Sequence, residues 1–170
     1  MPDLSLSTPP PALSAAPPLY RRLLCMVYEG VLLFGVVFLA DYLFDAITQS
    51  RSGLMNRHSR QLWLFLVLGV YFTWFWTHSG QTLAMKTWHV RVVDASGKGL
   101  QLPQAVFRYV LCWIFILPTL ALLELTRAPF WLTSLGITLA FVLPPFFSKF
   151  DPQGQFLHDR LAGTRLVSRS

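Results

Sequence analysis

A single carboxylate lies inside the first long apolar run of this sequence. Glu29 falls within a run that extends from Leu23 to Ala40. At about 1.5 Å per residue the run is about 27 Å long, which matches the hydrocarbon core of a bilayer. A charged group at that depth is costly unless it is paired, neutralised or hydrated, so Glu29 is a candidate functional residue. The sequence leaves two roles open for Glu29. It is either a structural contact between elements or a site that binds a ligand or a proton.

Two arginines are candidate neighbours of this carboxylate. Arg22 precedes Glu29 by seven residues, so both side chains lie on one face of a helix. They are about 10 Å apart along the helix axis, so each is expected to contact a partner from another element. Arg22 also fits a topology arginine that extends its guanidinium to the headgroups. Arg108 lies near the start of a later apolar run, at a depth that makes it a candidate partner for Glu29.

The composition places the chain among membrane proteins. Of its 170 residues, 54% are hydrophobic and only 13% are charged, whereas a soluble domain has about 25% charged residues. The net charge of +6 comes from basic residues that flank apolar runs, which fits membrane topology better than nucleic-acid binding. The sequence contains no catalytic motif, metal-ligand spacing or disulfide framework, so we expect no enzyme, cofactor or metal site.

The apolar runs predict an all-α membrane fold of four transmembrane helices with a small cytoplasmic β-element. Residues 1–19 are rich in Pro, Ser and Ala and are predicted to be a disordered tail. The membrane domain then extends over residues 20–168, and Pro118 is expected to kink its third helix. The four helices are predicted at about 21–47, 61–77, 105–125 and 130–147.

The β-element is predicted between the second and third helices. Residues 87–94 are β-branched and alternate, residues 95–99 have turn chemistry, and residues 100–102 alternate again before Pro103. This pattern predicts a hairpin over about 87–102, outside the hydrocarbon because an open strand edge cannot face lipid. A lone hairpin is marginal, so residues at about 164–168 are expected to add a third strand, paired with residues near 87–93.

The orientation follows from the distribution of Lys and Arg. Four spans place both termini on one side of the membrane, together with the hairpin. That side collects ten of the fourteen basic residues and the other side four, so both termini are predicted to be cytoplasmic in an inner membrane. The four residues on the outer side are Arg51, Arg57, Arg60 and Arg127.

Several stretches resemble the RDD family, which is named for one arginine and two aspartates. The resemblance covers about residues 20–168. It rests on Arg22 with an acid seven residues on, Gly80-Gln81-Thr82-Leu83-Ala84-Met85-Lys86 before a Val-rich strand, Arg108 opening the next helix, and Leu157-His158-Asp159-Arg160-Leu161-Ala162-Gly163-Thr164.

The resemblance implies which residues form the site. It places the family arginine on Arg22 and the second aspartate on Asp159, while the first aspartate falls on Glu29, which keeps the charge and adds one methylene. The expected polar cluster is therefore Arg22, Glu29, Arg108 and Asp159. A turn at 151–154 would fold the tail back toward helix one, so we expect Arg22 to pair with Asp159 and Glu29 to pair with Arg108.

Two functions remain open at this stage. The first is a small ion- or proton-coupled transporter or transporter subunit, in which Glu29 takes up and releases a proton. Transport is also the usual suggestion for the family that the chain resembles, and four spans are few for a carrier, so a homo- or hetero-oligomer is expected. The alternative is a non-transporting membrane scaffold or accessory subunit, whose basic cytoplasmic face meets a partner or anionic lipid.

Overall fold

The computed structural model describes residues 16–49, 56–114, 116–148 and 155–168, and these residues are mostly helical. The tail predicted at 1–19 lies outside them up to residue 15, and the turn predicted at 151–154 lies outside them entirely. The described elements are α1 (Leu19–Thr48), α2 (Arg57–His78), α3 (Leu83–Thr87), β1 (Val90–Asp94), α4 (Leu102–Cys112), α5 (Ile116–Leu125), α6 (Phe130–Phe147), α7 (Leu157–Leu161) and β2 (Thr164–Ser168).

Two stretches of the described chain are long and apolar enough to cross a membrane. They are α1, with 30 residues, and Leu102–Leu125, which includes α4 and α5. The other two predicted spans, α2 and α6, do not meet the same test. The first turn of α2 is polar because it contains Arg57 and Arg60. The structure thus has two candidate spans, and it does not establish the four that the sequence predicts.

The side chains of α1 are distributed as in a membrane protein. The residues that α1 buries include Arg22, Cys25 and Glu29. Large apolar residues face away from the rest of the chain instead, among them Phe34 and Phe38, which are 74% and 68% exposed. A helix that buries charges and exposes phenylalanines is suited to lipid rather than water, because only lipid makes the outer face favourable.

The third predicted helix is divided into two. It was expected at 105–125 with a kink at Pro118, but α4 ends at Cys112 and α5 begins at Ile116. Pro118 therefore lies in the first turn of α5, where its missing N–H costs nothing. Pro103, which was expected to end a strand, lies in the first turn of α4 for the same reason.

The predicted hairpin over 87–102 is wrong. Thr87 ends α3, and only Val90–Asp94 of this stretch forms a strand. The Asp94 carboxylate accepts hydrogen bonds from the backbone N–H of Ser96 and of Lys98, both at 2.8 Å. This closes the turn, but the chain then enters α4 instead of returning as a strand. The partner of β1 is β2, at the position predicted for the third strand, and the two-stranded sheet is antiparallel with Val92 opposite Leu166.

Glutamine side chains cover both outer edges of this sheet. Gln81 Nε2 donates to the carbonyl oxygen of Val90 at 2.7 Å. On the other edge, Gln155 Oε1 accepts from the N–H of Leu166 at 2.9 Å, and Gln155 Nε2 donates to the Leu166 carbonyl at 3.2 Å. These amides bind backbone groups at the sheet edges, which would otherwise need a further strand as partner. A two-stranded sheet is therefore sufficient here.

A mixed apolar core holds the sheet on α2 and α4. Tyr109 joins the two helices, because its hydroxyl donates to the Phe65 carbonyl at 2.7 Å. A Cβ on Gly69 would lie 3.1 Å from the Tyr109 ring, so the glycine allows this close approach. The buried members of the core are Trp76, Val90, Val92, Leu100, Ala105, Tyr109, Phe156 and Leu166.

Candidate functional site

The most deeply buried charges form an ion pair between α4 and α7. Arg108 Nε donates to Asp159 Oδ1 at 2.9 Å, and Arg108 Nη2 donates to the same oxygen at 2.5 Å. The two side chains are 3% and 0% exposed. His158 Nε2 lies 3.3 Å from the same carboxylate oxygen. We call Arg108, His158 and Asp159 the sheet-end cluster, since β2 begins five residues after Asp159.

Local contacts fix the position of Asp159. Thr164 Oγ1 donates to the Asp159 carbonyl at 3.2 Å and so connects α7 to the start of β2. From α4, Gln104 Nε2 donates to the carbonyl oxygens of Ala162 and Gly163, both at 3.1 Å. One turn of α4 separates Gln104 from Arg108, so the same helix holds both ends of the Asp159–Gly163 stretch. These contacts account for His158, Asp159 and Thr164 of the C-terminal stretch that resembles the family.

Trp76 covers the guanidinium of the pair. The Arg108 Cζ atom lies 4.3 Å from the centroid of the Trp76 ring, a cation–π contact in a desolvated position. Among the described residues, Asp159 Oδ2 and Arg108 Nη1 are buried without a hydrogen-bond partner. The pair is therefore stabilised by Asp159 Oδ1, which accepts from two arginine nitrogens, and by the face of the Trp76 ring.

The two predicted ion pairs are wrong. Arg108 binds Asp159 and not Glu29, because α7 folds onto α4 rather than onto the start of α1. Arg22 instead donates from Nε to the Pro17 carbonyl at 2.9 Å, and its Cζ atom lies 5.1 Å from the Phe156 ring centroid. The described ion pairs of Asp159 are with Arg108 and His158, not with Arg22. The four predicted residues are all buried, but the structure does not bring them into one cluster: Arg108 and Asp159 pair, while Glu29 and Arg22 each have other partners.

Glu29 forms the second site, with hydroxyl partners. Tyr71 on α2 donates to Glu29 Oε1 at 2.8 Å. Thr82 donates from Oγ1 to Glu29 Oε2, and Thr82 is 0% exposed. Within the described chain, no cationic side chain forms an ion pair with Glu29. We call Glu29, Tyr71 and Thr82 the Glu29 site.

The Gly80-Gln81-Thr82 segment positions the threonine of this site. Gly80 has φ +68°, and its carbonyl accepts from the N–H of Val92 at 2.8 Å. Gln81 follows with its hydrogen bond to β1, and Thr82 is the N-cap of α3, accepting from the N–H of Met85 at 3.3 Å. The three residues thus connect the sheet to α1. This connection explains the stretch that begins with Gly80 and precedes the Val-rich strand.

A third polar cluster lies at the other end of α1. Arg60 on α2 donates to Asp41 at 2.7 Å and to Asp45 at 2.5 Å. We call these residues the far-end cluster, about 18 Å along α1 from Glu29. The sequence does not predict this cluster, because Arg60 precedes the helix predicted at about 61–77. The spacing of Asp41 and Asp45 does indicate such a cluster, since residues four apart lie on one helix face.

His158 makes the stability of the sheet-end cluster depend on pH. Burial lowers the pKa of His158 below its ordinary value of 6.5, and it outweighs the opposing effect of Asp159, whose charge Arg108 already compensates. The folded state therefore binds fewer protons than the unfolded state, so stability is complete above pH 6.5 and falls as the pH drops below that value. We expect the melting temperature in detergent to fall between pH 7 and pH 5.

A matched pair of variants isolates this effect. His158→Asn should flatten the dependence, while His78→Gln, which replaces an exposed histidine, should retain it. A His158→Asn protein with the full acid-induced decrease would show that another group is responsible.

The comparisons with known proteins support the motif assignment. A family model for the RDD family matches residues 16–163, which is most of the chain. No curated protein and no solved structure gives a significant match. The matched range includes the Glu29 site and most of the α7 motif, so the resemblance seen in the sequence is confirmed. The chain belongs to the RDD family.

Proposed function

We propose that this RDD-family membrane protein crosses an inner membrane four times, with both termini and the sheet in the cytoplasm. The excess of Lys and Arg on that side supports the orientation. The sheet also belongs outside the hydrocarbon, because an open sheet edge cannot face lipid. This sheet is not closed into a barrel, and glutamine side chains cover its edges instead. In this arrangement α2 and α6 are the second and fourth spans.

Reporter fusions test the topology directly. Fusions at Lys98 and Ser170 are expected to give cytoplasmic signals, and a fusion at Asn56 should give an external one. A Lys98 fusion that reports from outside would contradict the arrangement of spans.

For the activity we propose a subunit of an ion- or proton-coupled transporter, with Glu29 as the exchanging group. The observation that carries this proposal is that two neutral hydroxyls, from Tyr71 and Thr82, hold a buried carboxylate of a candidate span. A hydroxyl can donate to a carboxylate and can accept from a carboxylic acid. The same three residues therefore accommodate both protonation states, and a proton or cation can bind without an ion pair being broken.

Transport along α1 requires more than one copy or a second subunit. Between Glu29 and Asp41, the part of α1 that is turned toward the bundle is apolar, with Leu32, Val36 and Ala40 as its less exposed residues. A distance of about 18 Å without a polar side chain is a barrier to a charged species. We therefore propose a homo- or hetero-oligomer in which a neighbouring chain supplies the missing polar groups.

Flux measurements in liposomes test the activity. Wild-type protein, reconstituted with a pH-sensitive dye, should dissipate an imposed proton or cation gradient faster than empty liposomes. Glu29→Gln should reduce the rate to background, because the amide can neither gain nor lose a proton. Glu124→Gln is the matched control, since Glu124 is 56% exposed in its pair with Arg57 and should keep the wild-type rate. A Glu29→Gln protein with wild-type flux would contradict the proposal.

A second function is favoured by a different observation. Glu29 connects α1 to the segment before β1, and Asp159 connects α4 to the segment before β2. Both carboxylates thus attach the sheet to candidate membrane helices, as a non-transporting scaffold or accessory subunit with a basic cytoplasmic face would need. In that case neither wild-type nor Glu29→Gln protein would dissipate a gradient, while Glu29→Gln would still lower the melting temperature.

A further inference from the structure

We propose that Arg91 and Arg165 form a binding site for the phosphate of an anionic phospholipid on one face of the β1–β2 sheet. Arg91 is opposite Val167 in the register, and Arg165 is opposite Val93. These four side chains consequently share one sheet face, with the two arginines at diagonal positions about 7–8 Å apart. This face is opposite the one whose residues Val90, Val92 and Leu166 belong to the core.

Both arginines lack the carboxylate partner that three other described arginines have. In the described residues, Arg57, Arg60 and Arg108 each bind a carboxylate. The side chains of Arg91 and Arg165 form no ion pair and no hydrogen bond with any described residue. Two neighbouring guanidiniums of like charge repel each other unless an anion lies between them, so their placement favours an anionic ligand.

The side chain of Arg91 is held in place before any ligand binds. A Cβ on Gly80 would lie 3.0 Å from Arg91 Nε and 3.2 Å from Arg91 Cγ, so the glycine provides the space along which this side chain lies. Arg91 Nε is buried without a hydrogen-bond partner. For the rest of the guanidinium, a phosphate oxygen is the acceptor that an arginine fork fits best.

The location favours a lipid phosphate over a free anion. Thr82, eight residues before Val90, contacts Glu29 on α1, so the sheet lies beside the lipid-exposed helix and not far beyond its end. Val93 and Val167, the neighbours of the two arginines, are 4% and 9% exposed, whereas Arg91 and Arg165 are half-buried and are the more accessible residues of this face. In the proposed topology the face lies at the cytoplasmic leaflet, where anionic lipids attract basic side chains.

Lipid titrations of the purified full-length protein in detergent test the site. The probes are phosphatidylglycerol, phosphatidylcholine and inorganic phosphate, and the readouts are the melting temperature and the number of bound lipids by native mass spectrometry. Phosphatidylglycerol should raise the melting temperature of the wild type and remain bound, and the other two probes should not. An equal response to inorganic phosphate would overturn the assignment to lipid, and an equal response to phosphatidylcholine would overturn charge recognition.

The variants separate the site from general electrostatics. Arg91→Gln with Arg165→Gln should weaken phosphatidylglycerol binding by at least about tenfold, because charge-assisted hydrogen bonds to phosphate are lost. Arg57→Gln, the control, removes an exposed arginine from the first turn of α2 and should bind as the wild type does. The double Lys variant keeps the charge without the fork, so it still tests the site if the Gln double fails to fold; it should also bind more weakly. Wild-type affinity in the Gln or Lys double, or an equal loss in Arg57→Gln, would overturn the proposal.

This inference uses the proposed topology but not the proposed transport. The flux experiment changes Glu29 and the lipid experiment changes only Arg91 and Arg165, so a failure of one proposal and a failure of the other are distinguishable.

Discussion

Replacing Asp159 with Ala is expected to lower the free energy of unfolding by about 3–5 kcal/mol. The change removes the only carboxylate that Arg108 contacts among the described residues and leaves the guanidinium, which is 3% exposed, without its counter-charge. Arg108→Ala should have an effect of the same size, because Asp159 would then be the uncompensated charge. Thermal and denaturant unfolding in detergent, together with the amount of folded protein in the membrane, measures both.

The exposed pair at the other end of the molecule supplies the control. Arg57 and Glu124 are 3.0 Å apart with side chains that are 53% and 56% exposed, and exposed pairs contribute about 0–1 kcal/mol. Glu124→Ala should therefore be nearly neutral. The exchanged pair, Arg108→Asp with Asp159→Arg, should recover part of the loss. If Asp159→Ala is as mild as Glu124→Ala, the buried pair does not hold α7 on α4.

Gly80→Ala is expected to destabilise the protein by about 2–4 kcal/mol, from backbone strain and steric overlap together. Gly80 has φ +68°, a conformation that residues with a Cβ rarely adopt, and the added carbon would lie 2.8 Å from the Val92 carbonyl oxygen. Because this oxygen belongs to β1, relief of the clash requires the sheet to move away from the Glu29 site. Unfolding measurements should show the loss, and Tyr71→Phe should then have a smaller additional effect.

Gly99→Ala is the matched control for this change. A Cβ at Gly99 would meet nothing within 4 Å, so this substitution should change the stability by no more than about 0.5 kcal/mol. Equal effects of the two substitutions would mean that the conformation of Gly80 is not what connects the sheet to α1.

The sequence predicts the membrane-like helices and the C-terminal strand, because these depend on local composition and periodicity. It also predicts that residues near 87–93 pair with residues 164–168, which the β1–β2 register confirms. It does not predict that residues 100–102 stay outside the sheet. Residues 100–102 alternate as a strand would, but Pro103 starts a helix there. Which segment pairs with β1 depends on the distant residues around Leu166. The edge-covering roles of Gln81 and Gln155 likewise exist only once β1 and β2 have met.

The site residues are also predictable in part. Glu29 and Arg22 stand out as charges in an apolar run, and Asp159 follows from the family resemblance. Their partners do not follow, since axial depth along separate helices does not determine which side chains face each other. Arg108 is a neighbour of Asp159 because α7 packs on α4. Tyr71 gave no signal, since it is one of many aromatic residues in its helix.

The most direct test of the account is whether Glu29 exchanges a proton while Tyr71 and Thr82 hold it. Infrared difference spectroscopy of the reconstituted protein across its stable pH range measures this through the C=O stretching band of a protonated carboxylic acid. The account predicts a band that appears as the pH falls, is absent in Glu29→Gln, shifts in Tyr71→Phe, and is unchanged in Glu124→Gln. A band that is unaffected by Glu29→Gln, or the absence of any band that depends on pH, would contradict it and leave Glu29 as a structural tie between α1 and the sheet.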